Sequence, residues 1–437
     1  MRQRAASRPQ STGLRMSGSP TPARDRLLDG FTVLDFTRVL AGPYCTRLLA
    51  DLGASVIKVE RPGEGDEVRY TVFQLDPERS DQSSYFVRLN AGKRGIAIDL
   101  AHPQARDVVL DLVRVADVVV ENFSPGVMAK YALDEPALRA VRPQLVYCSI
   151  SGFGQTGPMS SMQAYAHLIN AVSGMMDLER GGEARPRVSY LQAADVLAGT
   201  HAFGAICAAL LRRERRGLGA YLDVSMLECL VAADDITYHG LLNGAAIRRQ
   251  PRPGMVLHAI GDGYVAIQTV GAPHLWSRLT ALIGRPELAA DERFATPAAR
   301  RANWPALLEI VQAWLSRFET VERAVEVLKS ARIPSVPMLS PERLVDHPQM
   351  AARSAFPSVT HPTRGEVRIT ATPFHVDGEA TLPSGPAPYR VGEDTRAVLC
   401  EVLGYSAERA ETLKRSGVVE IAGPQALPRD AENDRPG

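Results

Sequence analysis

The 437-residue sequence has few cysteines, no charge excess of either sign and no long apolar run. Its five cysteines lie far apart without a CxxC pair, so we expect no disulfide framework, no metal site and a reducing, cytoplasmic location. The 50 basic residues balance the 49 acidic ones, which argues against nucleic acid as a partner. No apolar stretch reaches the roughly 18 residues of a membrane span, so we expect no membrane partner.

The two ends of the chain differ in composition from the rest. Residues 1–25 are rich in Arg, Ser and Pro and contain no secretory apolar core, which predicts a disordered extension. The alternatives for this segment are a true start at Met16 and an organelle transit peptide. Residues 423–437 predict a disordered tail. The chain between them is longer than a single hydrophobic core usually organises, which predicts two domains.

Alternating strand and helix patterns begin shortly after the extension. Phe31–Phe36 and Ala54–Glu60 are predicted as buried strands joined by a helix over Tyr44–Leu52, and such a β-α-β unit implies a parallel sheet. Further strands are predicted at Ile96–Leu100, Asp117–Glu121 and Gln144–Ile150. The pattern predicts an α/β fold. No GxGxxG motif follows a strand, so nothing points to a nicotinamide or flavin dinucleotide.

The pattern changes near residue 243. A basic, proline-rich linker at Arg248–Pro253 is followed by a hairpin pattern turning at Asp262–Gly263 and by several helical segments. We therefore predict a small α+β domain over residues 243–337. The large parallel-sheet domain then takes residues 26–242 and 338–422, so both ends of the chain build it.

Basic residues follow several predicted strands, where ligands bind in open parallel sheets. They are Arg61, Lys93–Arg94 and Lys130. A single basic residue at such a position is more often a solvated surface charge. Because all of these residues lie near strand ends, together they favour a phosphate site.

Asp195 stands at the start of a helix rich in Ala and Gly. A lone carboxylate there usually caps the helix, because it accepts hydrogen bonds from the free N–H groups of the first turn. The local sequence therefore predicts an N-cap. The same N–H groups can stabilise developing negative charge, so a cap and a catalytic group are compatible roles.

Four long segments occur in a fixed order: LDGFTVLDFTRVLAGPYCTRLLADLGASVIKVERPGEGDEVR, LNAGKRGIAIDL, DVVVENFSPGVMAKYAL and SISGFGQTGP. They resemble the successive signatures of the family III CoA-transferases, which include formyl-CoA transferase, carnitine CoA-transferase and the α-methylacyl-CoA racemases. The resemblance is strong from Leu28 to Leu230 and continues more weakly to about Tyr405.

This resemblance implies a Rossmann-like large domain, a small domain and an interlocked homodimer. It also implies an enzyme that moves CoA from an acyl-CoA to a small carboxylic or dicarboxylic acid, with no permanently bound cofactor. The family nucleophile, which forms a covalent aspartyl-CoA thioester, falls on Asp195. The family's CoA contacts fall on Val39, Arg61, Ile98, Asn122, Phe123 and Lys130.

The sequence is also compatible with two other functions. An acyl-CoA racemase or epimerase needs a second acid–base group, which that branch supplies as a histidine. Tyr165 stands at the matching position here, and His167, two residues on, is expected on the wrong helix face. His201 is expected to be structural. The other alternative is a catalytically silent CoA-binding protein.

The acyl donor and acceptor are not identified by the sequence. Leu40 replaces the glutamine of formyl-CoA transferase, and GMVLHAIGDG is a poor match for that enzyme's glycine-rich lid, so we do not expect formyl or oxalyl exchange. Candidate contacts for an acceptor carboxylate are Arg248–Arg249, Tyr165 and Tyr238.

Overall fold

A computed structural model describes residues 26–179, 184–186, 188–234, 237–246, 255–268 and 273–423. The predicted N-terminal extension, Met16 and Arg248–Arg249 lie outside the described residues, as does all of the predicted tail except Gly423.

The strands in chain order are β1 (Thr32–Asp35), β2 (Ser55–Glu60), β3 (Arg94–Ile98), β4 (Val118–Glu121), β5 (Val146–Ser151), β6 (Ala220–Ser225), β7 (Met255–Ile260), β8 (Gly263–Gln268), β9 (Ser335–Pro337), β10 (Ser358–His361), β11 (Gly365–Arg368), β12 (His375–Val376), β13 (Glu379–Ala380) and β14 (Val419–Glu420).

The helices are α1 (Ala41–Asp51), α2 (Ser84–Asn90), α3 (Ala105–Val115), α4 (Val127–Lys130), α5 (Glu135–Val141), α6 (Ala166–Val172), α7 (Met175–Glu179), α8 (Ala193–Arg216), α9 (Met226–Ala232), α10 (Thr237–Leu242), α11 (Pro273–Ile283), α12 (Pro297–Ala302), α13 (Trp304–Leu315), α14 (Val321–Ser330), α15 (Pro341–Val345), α16 (Pro348–Ala352), α17 (Thr395–Ala397) and α18 (Ala407–Arg415).

The central sheet has seven strands in the order β14-β3-β2-β1-β4-β5-β6. Strands β1 to β6 pair in parallel, and β14 joins β3 antiparallel, with Val419 opposite Ile98. The predicted α/β fold with a parallel sheet is confirmed. Because β14 comes from the last described residues, both ends of the chain contribute to one sheet.

Helices cover both faces of this sheet, because its strands are apolar on both sides. One core packs α3 and α18 against residues such as Leu34 and Ile57. The other packs α1 and α8 against residues such as Val33 and Cys148. The second layer matters for the site, because it brings the N-terminal ends of α1 and α8 together.

A separate three-stranded sheet, β7-β8-β9, packs with helices α11 to α14 around its own core. Trp276 and Leu279 of α11 and Trp314 of α13 are buried there. The predicted hairpin is present as β7-β8, and it turns at Gly261–Asp262, one residue earlier than the predicted Asp262–Gly263. The domain limits at residues 243 and 337 stay a prediction.

Helix α8 is the only described helix long and apolar enough, by length and composition, to cross a membrane. It buries one face, formed mainly by Ala198, Ala202, Ile206 and Leu210, against the sheet layer. The central helix of a core meets the same criteria, so this is weak support for a membrane span.

Candidate active site

The loop after β1 leads the chain into α1 through a strained residue. Val39 has φ of 67°, in the left-handed region that β-branched residues rarely occupy. Its amide donates to Oδ1 of Asp66 at 3.2 Å, which helps to hold this conformation. Helix α1 begins at Ala41, and Leu40 before it provides no side-chain cap. The Ala41 N–H therefore points out of the helix without an intrahelical acceptor.

The Asp195 carboxylate lies close to that N–H, and the interaction between the two lowers the pKa of Asp195. Burial raises the pKa of Asp195 to about 6, although the backbone N–H of Ala41 and the charge of His167 act in the opposite direction. The result is a partly desolvated carboxylate at the positive end of α1.

The predicted role of Asp195 as the N-cap of its own helix is wrong. Helix α8 begins at Ala193 with Gln192 as its N-cap residue, so Asp195 is the third helical residue. Alanine is the best helix former, and the two alanines before Asp195 let the helix begin earlier. The carboxylate binds the start of a neighbouring helix instead.

A close contact between α1 and α8 fixes this arrangement. Gly199 lies one turn after Asp195 on the same side of α8. A Cβ atom at Gly199 would lie 2.5 Å from the carbonyl oxygen of Ala41 and 3.1 Å from Cδ1 of Tyr44. Only glycine allows the two helices to approach this closely.

We therefore expect Gly199→Ala to separate the helices, displace the Asp195 carboxylate and destabilise the protein by about 1–3 kcal/mol. Gly204→Ala on the same helix is the matched control, because a Cβ there meets no atom within 4 Å. The control should keep wild-type activity and gain a little helix stability. Equal behaviour of the two variants in urea unfolding and turnover would contradict this explanation.

A buried charge network lies beneath the loop after β1. Asp35, at the end of β1, accepts hydrogen bonds from Thr46 Oγ1 at 2.7 Å and Lys93 Nζ at 3.0 Å. Lys58 Nζ donates to the carbonyl oxygen of Thr37 at 2.7 Å and to Asp66 Oδ2 at 2.9 Å. The network thus ties the ends of β1 and β2 to the loop that carries Val39.

The interpretation of Lys93 as a phosphate ligand is wrong. Its side chain is fully buried, and its ammonium group also donates to Asn90 Oδ1 at 2.9 Å. Burial lowers the pKa of Lys93 to about 8, and the charge of Asp35 opposes this shift. Burial alone would raise the pKa of Asp35, but Lys93 and Lys58 together hold it below its usual value. The ion pair is structural.

A cavity of about 740 Å³ opens beyond the carboxyl ends of the strands. Three of the predicted CoA contacts line it, namely Arg61, Ile98 and Phe123. Arg61 is highly exposed and pairs with Glu64 at 3.0 Å, so its guanidinium remains accessible to a ligand. The cavity matches the place where open parallel sheets bind nucleotides.

The other predicted CoA contacts lie around this cavity and do not line it. The amide side chain of Asn122 bonds the backbone of Arg38, donating to its carbonyl at 2.7 Å and accepting from its N–H at 2.9 Å. Arg38 lines the cavity and lies 5.9 Å from the ring centroid of Phe123. Val39 follows Arg38, and Lys130 ends α4 with an exposed side chain.

His167 lies exposed on α6, and its charge lowers the pKa of Asp195. Helix α6 begins at Ala166 and Tyr165 before it is extended, so Tyr165 and His167 do not share a helix. His201 has the expected structural role, because its Nδ1 lies 2.8 Å from the carbonyl oxygen of Leu197.

Tyr85 is a further neighbour that sequence reasoning did not identify. Its hydroxyl lies 3.0 Å from Oε1 of Gln192, and the charge of Asp195 contributes to its raised pKa, after burial. Tyr85 and Gln192 lie 107 positions apart in sequence, and no local motif signals such a contact. Tyr238, a predicted acceptor contact, instead bonds the carbonyl oxygen of Ser173.

Comparisons with known proteins agree with this geometry. The family model described as CoA-transferase family III matches residues 28–395. The mouse succinyl-CoA:glutarate CoA-transferase is 33% identical over 402 residues, covering 90% of each chain. The acetyl-CoA:oxalate CoA-transferase of Acetobacter aceti is 37% identical over 400 residues, covering 89% of this chain and 99% of that one.

The solved structure of a CAIB/BAIF family protein from Brucella suis superposes with a TM-score of 0.74 at 33% identity, covering 87% of this chain and all of that one. Sequence and fold therefore agree over nearly the whole described chain. The chain belongs to the family III CoA-transferases and is a CoA-transferase.

Proposed function

We propose that Asp195 is the nucleophile that carries CoA from an acyl-CoA donor to a small dicarboxylic acid. The single observation that supports this role most strongly is the position of its buried carboxylate beside the Ala41 N–H at the start of α1. A carboxylate held at a helix N-terminus has an N–H group already in place for the oxyanion that forms at its own carbonyl carbon.

The reaction needs only this carboxylate and the sulfur of CoA. An oxygen of Asp195 attacks the donor thioester carbonyl, the C–S bond breaks, and a mixed anhydride and CoA thiolate form. The thiolate then attacks Cγ of Asp195, which gives the aspartyl-CoA thioester and releases the donor carboxylate. An acceptor carboxylate attacks the same Cγ and expels the thiolate, which attacks the new acyl carbonyl and restores Asp195.

The choice of a dicarboxylic acid draws on the names of two relatives. Glutarate and oxalate, which appear in those names, are both dicarboxylates. Leu40 before α1 is fully buried and apolar, and it offers no hydrogen bond to a compact, highly charged acid such as oxalate. We therefore favour a longer dicarboxylate, such as glutarate or succinate.

The 740 Å³ cavity is the proposed CoA site, with Arg61 on its rim for a phosphate group. Ile98 and Phe123 offer apolar surface for the adenine ring or the pantetheine arm. Val39, Asn122 and Lys130 are proposed to complete the site from the surrounding loops.

A panel of acceptors tests the proposed function. The enzyme is incubated with succinyl-CoA and, in separate reactions, with glutarate, oxalate, formate and butyrate, and new thioesters are quantified by mass spectrometry. We expect glutaryl-CoA to form fastest. Absence of every new thioester from a folded enzyme, with glutaryl-CoA and acetyl-CoA also tried as donors, would contradict the proposal.

The pH dependence follows from the raised pKa of Asp195. Only the ionised carboxylate attacks, and its pKa is about 6. We therefore expect kcat/KM to fall about tenfold per pH unit below pH 6 and to level off above pH 7. A profile that stays flat down to pH 5, in an enzyme shown to remain folded, would contradict ionisation of this group as the controlling step.

We also propose that two chains form the interlocked homodimer of the family. Large apolar side chains lie exposed on the described single chain, including Tyr190 and Leu191 just before α8 and Leu242 at the end of α10. Exposed apolar surface of this kind marks an interface. Light scattering of the full chain should give the mass of two subunits, and a monomeric mass under assay conditions would contradict this.

A racemase or epimerase remains the second candidate, because His167 acts electrostatically on Asp195. Two such groups on opposite sides of an α-carbon can exchange its proton. Deuterium from solvent should then enter the α-carbon of a 2-methylacyl-CoA without any acceptor acid. No incorporation over many transfer turnovers would eliminate this candidate.

A cytoplasmic location stays a proposal. Cys45, Cys148 and Cys229 are buried free thiols, and burial raises the pKa of each. Such thiols are typical of proteins in reducing compartments.

A further inference from the structure

A second cavity, of about 360 Å³, lies beside α2 and apart from the proposed CoA site. Its walls are mostly apolar, formed by residues such as Val72, Phe356 and Ile369. Two arginines also line it, Arg88 and Arg368. Apolar walls with a few placed charges are typical of a site for a small organic ligand.

Arg88 is the less compensated of these two cations. Among the described residues no acidic side chain forms an ion pair with Arg88, whereas Arg368 lies 3.8 Å from Asp346. The neighbouring Arg47 is neutralised by Asp51 at 2.8 Å, so that carboxylate is already engaged. Arg88 is half-buried, and a partly desolvated guanidinium without a carboxylate favours binding an anion.

Tyr85 lines the cavity and also lies within electrostatic reach of Asp195. The guanidinium of Arg88 lies 5.1 Å from the centroid of the Tyr85 ring. The Tyr85 hydroxyl reaches Gln192, three residues before Asp195, at 3.0 Å. Arg88 also acts electrostatically on Tyr44, whose ring lies against Gly199 on the Asp195 side of α8. Arg88 and the Asp195 carboxylate thus both act on Tyr85.

We propose that Arg88 binds the second carboxylate of a dicarboxylic acyl or acceptor group while its first carboxylate reacts at Asp195. This inference rests on the proposed function and adds the residue that selects dicarboxylates. A bidentate guanidinium–carboxylate contact suits the planar end group, and the apolar wall suits a methylene chain. A monocarboxylate of equal length would leave Arg88 without a partner.

The test compares Arg88→Met and Arg88→Lys with the wild type, using glutarate and valerate as acceptors of equal chain length. The wild type should prefer glutarate. Arg88→Met should raise the KM for glutarate about 10- to 100-fold, leave the KM for valerate unchanged or lower it, and keep the KM for a monoacyl-CoA donor. Arg88→Lys should restore part of the preference, because it keeps the charge but loses the bidentate geometry.

Arg368→Met is the matched control, because it removes the other guanidinium of the same cavity and should change the glutarate KM much less. An Arg88→Met enzyme with unchanged preference for glutarate, or with equal losses for both acids, would overturn the inference while leaving Asp195 catalysis intact. Failure of the wild type to transfer CoA to any acid would instead contradict the proposed function itself.

Discussion

Asp195→Asn is expected to lower kcat for CoA exchange at least about a thousandfold, because a neutral amide cannot attack a thioester and form the anhydride. The substitution keeps the size of the side chain and an oxygen that can face the Ala41 N–H. We therefore expect unchanged circular dichroism, unchanged oligomeric state and a similar Kd for CoA. Initial rates with succinyl-CoA and glutarate measure the effect.

Asp195→Glu distinguishes the effect of the position of the carboxylate from the effect of its chemical identity. It retains a carboxylate but moves it by one methylene from the Ala41 amide, and a displacement of about 1 Å costs on the order of a hundredfold in rate. We expect an activity between those of the wild type and Asp195→Asn. If Asp195→Asn keeps more than a tenth of the wild-type rate, Asp195 is not the nucleophile.

The buried ion pair between Asp35 and Lys93 gives the largest expected effect on stability. Both side chains are fully buried, and Lys93 Nζ lies 3.0 Å from Asp35 Oδ2. Asp35→Asn leaves the Lys93 ammonium without its only directly bonded carboxylate among the described residues. Loss of one partner of a buried pair costs about 3–5 kcal/mol, and we expect a decrease of that size in the free energy of unfolding.

Two further variants show whether the effect comes from the uncompensated charge. Asp35→Asn combined with Lys93→Met removes both charges and should recover part of the lost stability in urea unfolding. Glu326→Gln breaks the highly exposed pair with Arg323 and should leave the free energy of unfolding almost unchanged. A double variant no more stable than Asp35→Asn would indicate that lost packing, and not the unpaired ammonium, causes the destabilisation.

The parallel sheet could be predicted from the sequence because its strands are continuous apolar runs separated by helix signals. The predicted strand Ala54–Glu60 agrees within one residue with β2. The antiparallel edge strand β14 was not predicted, since two residues carry too little pattern to indicate a strand. Its place beside β3 depends on contacts far along the chain.

Site residues could be predicted from the sequence only where they belong to a continuous sequence motif. The segment around Asp195 was identified through the family resemblance, but the interaction of its carboxylate with the Ala41 N–H spans two helices and leaves no local signal. Lys93 illustrates the opposite error. A basic residue near the strand ends resembles a phosphate ligand, yet its partner Asp35 lies 58 positions away in sequence and buries it. In both cases the environment of the side chain depends on contacts between elements that lie far apart in the sequence.

Intact-protein mass spectrometry of the enzyme with succinyl-CoA alone tests the central proposal most directly. The proposed reaction predicts a covalent mass increase of CoA less one water per chain, and peptide mapping should place it on Asp195. The same treatment of Asp195→Asn should give no adduct. An adduct on another residue, or none in an enzyme that completes turnovers under matched conditions, would contradict Asp195 as the carrier of CoA.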